Sequence, residues 1–561
     1  MHFGIDLGTT NSLIAVFRDG KAELVPNALG QVLTPSVVAV TPQGVVVGQT
    51  ARELALSNPT ATAAVFKRAM GTDRSYTLAG KSFSAPELSA LVLSALKADA
   101  EAHLGVPVND VVISVPAYFN EVQRKAVRAA GQIAGLNVKR LINEPTAAAL
   151  AYGLHEENAE AKFLVFDLGG GTFDVSILDL FEGVMEVKSS AGDAFLGGED
   201  FTEALGRYIG ERHQLDINSP EHRAALLKLG EQVKLGLTER EQVQVQGEVA
   251  GQQIDETITR SRFDDITGQL MTRLNAPLDR ALNDADFRPD DHDKVVLVGG
   301  ATRMPSVKSY VSRKLRKFPV MGLDPDHVVA LGAAVQAALV ARDAALDDVV
   351  MTDVSAFTLG VETSHMLNGQ IRSGYFAPII ERNTVVPVSR EQTFQTIQLG
   401  QPLVRFGIFQ GEAPIVASNL YLGSVDVDVP VNHKNHESVS VRFTYDVSGL
   451  LQVEAKSLST GRTSSLVITK LAGEMSDGEI KSALSKLEKL KRHPRDDAAN
   501  QHAKSRIEAC YSMAKGDDRH WIQTLLVEFN EAIEGQNQSE IDEARAKVHK
   551  MLDRFEASYV T

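Results

Sequence analysis

A single cysteine, Cys510, in 561 residues excludes any disulfide within the chain and any metal site built on clustered thiolates, and it points to a reducing compartment. Long apolar runs are missing too. No stretch approaches the roughly 20 apolar residues of a membrane helix, and the chain passes from Met1-His2 into a strand-like pattern without a basic and apolar leader. A cytoplasmic protein, neither secreted nor membrane-inserted, is the expectation. Basic residues are outnumbered, 57 Lys and Arg against 72 Asp and Glu for a net charge of -15. That balance argues against a nucleic-acid surface, because phosphate backbones are gripped by clustered Lys and Arg. What is present is an ordinary folded composition, 43% apolar and 23% charged, which excludes a wholly disordered chain. The length exceeds one core and predicts three or four domains of roughly 100–200 residues each.

The first motif is GIDLGTTNS at residues 4–12, an apolar strand running into a glycine- and threonine-rich turn with no phosphate-binding lysine. Its logic returns at 163–178, FLVFDLGGGTFDVSIL, which suggests a duplicated unit. In each copy glycine lets a hairpin turn sharply and brings bare backbone N–H groups to an anion. Asp6 and Asp167, just before the turns, suit a hydrated divalent cation, since magnesium takes oxygen ligands and keeps several waters. Two such hairpins facing one another would clamp a polyphosphate and its metal. One Asp-Leu-Gly-Thr alone reads better as a plain hairpin; two matched copies favour the clamp. Neither copy fits Gly-x-x-x-x-Gly-Lys-Ser/Thr, and Gly169-Gly170-Gly171 opens no helix, so the P-loop and dinucleotide readings fall away. A third glycine turn, Gly299-Gly300, ends a buried-type strand at 295–298, with a helix predicted soon after Pro305. Such strand ends commonly face a ligand in α/β folds. Between these marks lie another buried strand at 110–116 and an amphipathic run at 121–134 that carries Gln123, Arg124 and Lys125 on its polar side. Strand and helix alternate to about residue 345, as in an α/β domain.

Beyond Asp343 alternation replaces helical periods. Residues 439–445, the turn 446–449 and residues 451–455 read as a hairpin with one buried face, and similar runs from Leu359 to Lys470 predict an antiparallel β-sandwich. A helical region follows. It opens on the capping-box spacing of Ser476 and Glu479, with Met475 and Ile480 placed as a staple, and Pro494 interrupts its first helix. Trp521, Leu525, Phe529 and Ile533 keep one face, as do Ile541, Val548, Leu552 and Phe555. His433 and His436 have no third ligand nearby, so a turn between strands explains them better than a metal.

Taken in order, GIDLGTTNS, VISVPAYFN, LINEPTAAALAYGL, VFDLGGGTFD, GDAFLGGEDF and VLVGGATRMP resemble the signature set of the DnaK-type chaperones, the heat shock protein 70 family, over nearly the whole chain. FKRAMG, IIERNTVVPVSR and a short C-terminal lid resemble the bacterial HscC branch of that family. The resemblance implies a multidomain α/β plus β plus α protein. Its parts would be an actin-like two-lobed ATPase domain at 1–347, a linker at 348–354, a β-sandwich substrate-binding domain at 355–472 and a helical lid at 473–561. It implies hydrolysis of ATP to ADP and phosphate, coupled to binding and release of unfolded, apolar client peptides. Magnesium is the implied cofactor, potassium a further candidate cation, and a J-domain co-chaperone the implied partner. No nucleic acid or membrane is expected as a partner.

Residue by residue, the resemblance puts Asp6 and Asp167 on the magnesium waters. Gly8, Thr9, Thr10, Asn11, Gly169, Gly170, Gly171, Thr172, Gly197 and Gly198 would surround the phosphates. Lys67 would steady the γ-phosphate and the attacking water, and Glu144 and Asp174, with Thr172, would orient that water. Such a division of labour suits phosphoryl transfer, which needs positioning and charge neutralisation more than covalent chemistry. Considered alone, Lys67 reads as an ordinary solvated lysine. The adenosine side would be built by Glu231, Lys234, Thr238, Gly299, Gly300, Arg303 and Asp326; Glu231 and Lys234, three apart, also fit a surface ion pair. Val361, Phe394, Val404, Phe406 and Leu450 would line a pocket for an apolar side chain, and plain core fits these five as well. Pro116 and Arg124 match a relay between nucleotide and linker, while Arg140, Asn143 and Asp353 match positions that meet a J-domain.

The sequence departs from the family in several places. Leu235 replaces an arginine of some relatives, and Ser364 and Ile397 replace the methionine and alanine that arch over the peptide in DnaK. Thr352 interrupts a linker in which Val349, Val350 and Met351 keep apolar character. The segment 238–260 is shorter than its DnaK counterpart, which leaves the need for a nucleotide exchange factor open, and the chain ends without the acidic tail that some co-chaperones read. Two rival readings stand beside the chaperone. An actin-fold kinase would leave phosphate on a small molecule, and a passive peptide-binding adaptor would hold peptide regardless of ATP.

Overall fold

The computed structural model describes all residues except 42–43, 154–160, 182–183, 290, 321, 343–349, 352, 368–369, 446–449, 470–497, 536 and 560–561, and for a few residues at element ends it describes the backbone alone. Two units separate by their internal contacts. The first comprises Met1–Phe357 with Arg382–Val385, the second Thr358–Glu381 with Val386–Thr561. The first therefore reaches past residue 347, for two reasons. Val350–Met351 pairs in parallel with Val184 and Met185, and Arg382 forms an ion pair with Asp284 at 2.7 Å.

The duplication suggested by the two Asp-Leu-Gly stretches is present in the strand order of the first unit. One sheet runs Asn137–Asn143, Asp110–Val115, His2–Asp6, Asn11–Arg18, Lys21–Leu24, with Thr34–Pro35 also paired to Asn11–Arg18. The other runs Lys294–Val298, Ala161–Leu168, Phe173–Phe181, Val184–Asp193, Val350–Met351. In both, an antiparallel meander of three strands carries a parallel strand beside its first member. Asp6 and Asp167 thus occupy equivalent places at the end of a meander's first strand. These strands read as near-continuous apolar runs because helices cover them, and a sheet buried on both faces has no polar side to show. Helix Val328–Val340, with Ala330, Ala333, Ala334, Ala337 and Ala338 all buried, packs on the first sheet.

Helix Glu121–Ile133 forms as the amphipathic run predicts, capped by Asn120 and Gln123. One assignment on it is corrected. Arg124 is not on the polar side but buried, because it shares a face with Val127, Arg128 and Gly131 at helical spacing. Its guanidinium is satisfied there by the carbonyls of Phe119 at 2.9 Å and Ala117 at 3.0 Å and by Asn143 Oδ1 at 2.6 Å.

In the second unit two four-stranded antiparallel sheets run Gln370–Ile380, Leu359–Leu367, Leu403–Gln410, Leu420–Asp428 and Val388–Gln395, Ser438–Tyr445, Leu450–Ser457, Thr463–Thr469. The predicted hairpin pairs as expected, Val439 opposite Ser457 through Tyr445 opposite Leu451; its turn lies outside the described residues. Alternate residues of the strands meet in one core that includes Val361, Ile408, Val441, Phe443 and Val453. Helices Ala498–Met513, Asp517–Gly535 and Gln538–Tyr559 follow. Their apolar faces join Ile507, Cys510, Ile522, Leu525, Phe529, Ile533, Val548, Leu552 and Phe555, with the Trp521 ring edge-on to Phe555 at 5.9 Å. The expected helix start near Ser476, its staple and the break at Pro494 fall outside the described residues. Among the described residues no helix is long and apolar enough to cross a membrane.

Phe443 is fully buried in the sandwich core. Phe443→Ala is expected to cost the second unit about 3–5 kcal/mol, the usual range for emptying a phenylalanine site, while nucleotide binding is unchanged. Urea unfolding followed alongside ATP titration checks this.

Candidate active site

The two glycine turns face each other at a separation only glycine permits. A Cβ on Gly170 would stand 1.9 Å from Thr10 Oγ1, and one on Gly171 2.4 Å from Thr9 Oγ1. The loop at Gly197–Gly198 is tied to the second of them by backbone bonds, Gly198 N–H to Gly169 O and Glu199 N–H to Gly170 O, both 2.9 Å. Backbone amides thereby converge without side chains between them, as an anion site requires.

These loops border a cavity of about 400 Å³. It is lined by Asp6, Gly8, Thr9, Thr10, Asn11, Lys67, Glu144, Asp167, Gly169, Gly170, Thr172 and Gly198, and also by Glu231, Lys234, Thr238, Gly299, Gly300, Arg303 and Asp326. Residues 318 apart in sequence, Gly8 and Asp326, thus share one wall system, with Asn11 and Gly299 between them. Three of the expected residues are not on the lining. Gly171 turns toward Thr9, Gly197 packs against Gly170, and Asp174, 1% exposed, accepts a hydrogen bond from Tyr118 N–H at 3.0 Å. Leu13, Leu33, Leu235, Val298, Met304 and Val329 add apolar surface to the lining, which Glu239, Ala301 and Pro325 complete. Apart from Leu235, sequence reasoning passed over the apolar ones because an apolar residue gives no signal of facing a ligand rather than a core.

The reading of Lys67 as a solvated lysine is overturned. It is 3% exposed, its Nζ lies 2.8 Å from Glu144 Oε1, and it sits over the Phe119 ring at 5.6 Å. Around this one cation lie three buried carboxylates, Glu144, Asp167 and Asp174, and the half-buried Asp6. Burial, and then the Glu144 charge, push Asp6 up to about 7, although Ser114 donates to its Oδ1 at 2.7 Å and Lys67 opposes the shift. Asp174 is pushed up to about 8 by the same two causes. Asp167 rises well above the usual carboxylate range, through burial first and then Glu144, Asp174 and Asp6. Among the described residues its Oδ2 is buried with no hydrogen-bond partner.

This donor set fits a divalent cation. An orphaned carboxylate oxygen and raised aspartates are what a site short of positive charge shows. Among the described residues no three His, Cys, Asp or Glu side chains converge into a cage. The ion would therefore take Asp6 and Asp167 together with waters and phosphate oxygens, as magnesium does.

The pairing of Glu231 with Lys234 is no surface ion pair. Their 2.6 Å contact belongs to a network in which Lys234 Nζ also donates to Thr202 Oγ1 at 2.8 Å and Gly198 O at 3.1 Å. Arg303 is held by Asp326 at 2.8 Å and Asp324 at 2.5 Å. Leu235, at the cavity's edge, is 60% exposed. Three further polar residues were not singled out from sequence. Glu199 accepts from Thr10 Oγ1 at 3.1 Å, its carboxyl raised chiefly by burial; Arg52 donates to Asn11 Oδ1 at 2.8 Å; and Arg68 reaches Gly171 O and Asp200. Arg68 and Asp200 lie inside quoted motifs, but partners 132 residues apart leave no spacing to read.

The remaining candidates lie elsewhere. Pro116 is buried at the end of strand Asp110–Val115, Asn143 is buried beside Arg124, and Arg140 is half-buried on strand Asn137–Asn143. Asp353 begins the short strand Asp353–Val354, its side chain outside the described set, as are Val349 and Thr352. In the sandwich the plain-core alternative holds for Val361 and Phe406, 0% and 3% exposed. They are packed members of the sandwich core. Phe394, Val404 and Ile397 are half-buried, with the Phe394 ring 5.5 Å from that of Phe406. Ser364 Oγ bonds Ser373 Oγ at 2.7 Å, and the Leu450 side chain is not described. Strand Leu359–Leu367 pairs with Leu403–Gln410 only through Leu359, Gly360 and Val361. His433 and His436 belong to no metal cluster among the described residues.

Comparison with known proteins adds two findings. The family described as Hsp70 protein matches residues 2–78 and 73–560. Proteins named chaperone protein DnaK from Thermotoga petrophila, Thermotoga sp. strain RQ2 and Thermotoga maritima are each 40% identical over 569 residues, covering 98% of this chain and 92% of the relative.

The raised carboxyls carry a stability cost with a definite sign. Asp174 is ordinary at 3.8 when unfolded and about 8 when folded, so stability falls as pH climbs through that window and is flat above it. Asp174→Asn is expected to raise the melting temperature of nucleotide-free protein in EDTA, with a gain that grows to several degrees between pH 5 and pH 8. Equal gains at both pH values in thermal scans would contradict it.

Proposed function

The chain belongs to the Hsp70 family, and on that premise we infer that it is an ATP-dependent molecular chaperone that binds extended apolar segments of unfolded polypeptides and hydrolyses ATP to ADP and phosphate to control their release. The observation that carries this reading is the dry Lys67–Glu144 pair among three raised aspartates, between two glycine turns that present bare backbone.

The chain's own groups divide the work as follows. The amides of the turns around Gly8–Asn11 and Gly169–Thr172 receive the phosphates of ATP. Lys67 Nζ, buried at the cavity wall and held by Glu144, offers its charge at greater strength than a solvated lysine and needs little reorganisation. Glu144 holds that ammonium in place and, with Asp174 and Thr172, orients the attacking water. Asp6 and Asp167 would hold magnesium through its waters, shedding their protons as they do so. Bound there, the ion supplies neutralising charge to the phosphates. Glu231, Lys234, Thr238, Gly299, Gly300, Arg303 and Asp326 take the adenosine side. Potassium stays a candidate for a second cation.

We assign the ATPase to residues 1–347, the linker to 348–354, the peptide-binding sandwich to 355–472 and the lid to 473–561. Where strands Leu359–Leu367 and Leu403–Gln410 part beyond Val361, unpaired backbone suits an extended peptide. Phe394, Ile397 and Val404 supply the apolar surface beside it, with Ser364 at its border. Pro116, Arg124, Arg140, Asn143 and Asp353 form the proposed relay and J-domain contact, and a cytoplasmic location and the HscC branch belong to the same reading. An exchange factor stays open. Coupling requires only that ATP bind one arrangement of the chain more tightly than the other.

Release of a fluorescent apolar peptide on adding magnesium-ATP tests this, with Lys67→Ala alongside. Release should accelerate in both proteins while hydrolysis falls roughly 10²–10³-fold in the variant, the usual loss for a charge-stabilising donor. Peptide binding that ignores ATP would replace the chaperone with a passive binder.

A further inference from the structure

Lys67 and Arg68 lie side by side on one tight turn, Phe66–Ala69. The residue before that turn, Val65, has φ of 58°. A β-branched residue in the left-handed region is strained and persists only where its surroundings over-determine it. The contacts on the turn supply that constraint. Lys67 points to Glu144, while Arg68 donates from Nε to Gly171 O at 3.0 Å and from Nη1 to Asp200 Oδ1 at 3.2 Å, with Nη2 on Asp200 Oδ2. The same Asp200 Oδ2 accepts Gly197 N–H at 2.7 Å. One guanidinium therefore joins the lysine-bearing turn of the first half to two loops of the second half, the glycine turn ending at Thr172 and the loop at Gly197. Both ends of the ion pair are largely shielded, each side chain 20% exposed.

Resting on the ATPase reading above, we propose that Arg68 is the positioning residue that sets Lys67 against the second glycine turn, so that the charge-stabilising ammonium and the Thr172 side of the site keep one fixed spacing. Arg68 itself does not line the cavity. It acts through Lys67, and the planar fork is what the role needs. Nε and the two terminal nitrogens address three acceptors in one plane, which a lysine carrying the same charge cannot do. Glu144 keeps Lys67 within its own half, but nothing in that pair refers it to the opposite turn. Losing the fork leaves the ammonium present and misplaced, and a misplacement of about 1 Å can cost on the order of 10² in rate.

The test is single-turnover hydrolysis at saturating magnesium-ATP, with affinity read separately by titration of N-methylanthraniloyl-ATP. In Arg68→Ala and Arg68→Lys alike the rate should fall roughly 10–100-fold, with nucleotide affinity within about 3-fold of the parent protein; Asp200→Asn should fall in the same direction. In the Lys67→Ala background Arg68→Ala should cost nothing further, because residues acting as one unit are non-additive. Full rescue by Arg68→Lys, an equal loss with and without the Lys67 ammonium, or a loss carried wholly by affinity would each overturn the proposal. Hydrolysis by the unaltered protein, measured in the same assay, tests the ATPase reading on its own. Should Arg68→Ala fail to fold, Arg68→Lys and Asp200→Asn decide the matter, and parent rates in both would overturn it.

Discussion

Four carboxylates gathered around one buried lysine, three of them buried and Asp6 half-buried, are the constraint on which the first unit depends. Burial and mutual repulsion among Asp6, Glu144, Asp167 and Asp174 raise the three aspartates above the usual carboxylate range. A fold selected for stability alone would not place them together. On the function proposed above the arrangement makes sense, because a cation would offset the excess charge while the glycine turns take the phosphates of a nucleotide.

Much of this was legible in the sequence because duplication writes the same device twice. A lone Asp-Leu-Gly-Thr turn carries little information, yet its return 161 residues later, from Asp6 to Asp167, foretold equivalent strand ends facing one another. The alternation in residues 439–455 likewise foretold a hairpin with one buried face, since side-chain period and sheet geometry are tied. What escaped was anything set by contact alone. Arg124 was placed on a polar face from residue type, whereas helical spacing from Val127 and Gly131 buries it, and the acceptors that make this tolerable lie on other elements. Lys67 was rescued by its motif and by nothing in its own chemistry. Val361 and Phe406 show the opposite limit: an apolar strand residue looks the same in sequence whether it lines a pocket or fills a core.

The residues that join the halves were the least legible. Glu199 and Asp200 begin helix Gly198–Arg212, where acidic residues are ordinary complements to the positive end of the helix dipole, and that ordinary explanation hides their reach to Thr10 and Arg68. Each of these contacts crosses between the two copies of the duplicated unit. Their job differs from that of the glycines: the glycines remove bulk so the turns can approach, while Thr10–Glu199 and Arg68–Asp200 determine how closely and at what offset they stop.

That distinction bears on why the strain at Val65 survives. A glycine there would relieve the backbone at no steric cost, but it would also loosen the turn that holds Lys67 and Arg68 in opposite directions. A β-branched residue narrows the turn's conformational choices and leaves fewer ways for the ammonium to wander. Catalysis by preorganised charge demands this kind of rigidity, because an ammonium that must reorient during the reaction loses part of what its burial gained. On the proposed roles, the strained turn, the shielded fork of Arg68 and the buried Lys67–Glu144 pair describe one requirement: the charge must already stand where the transition state will need it.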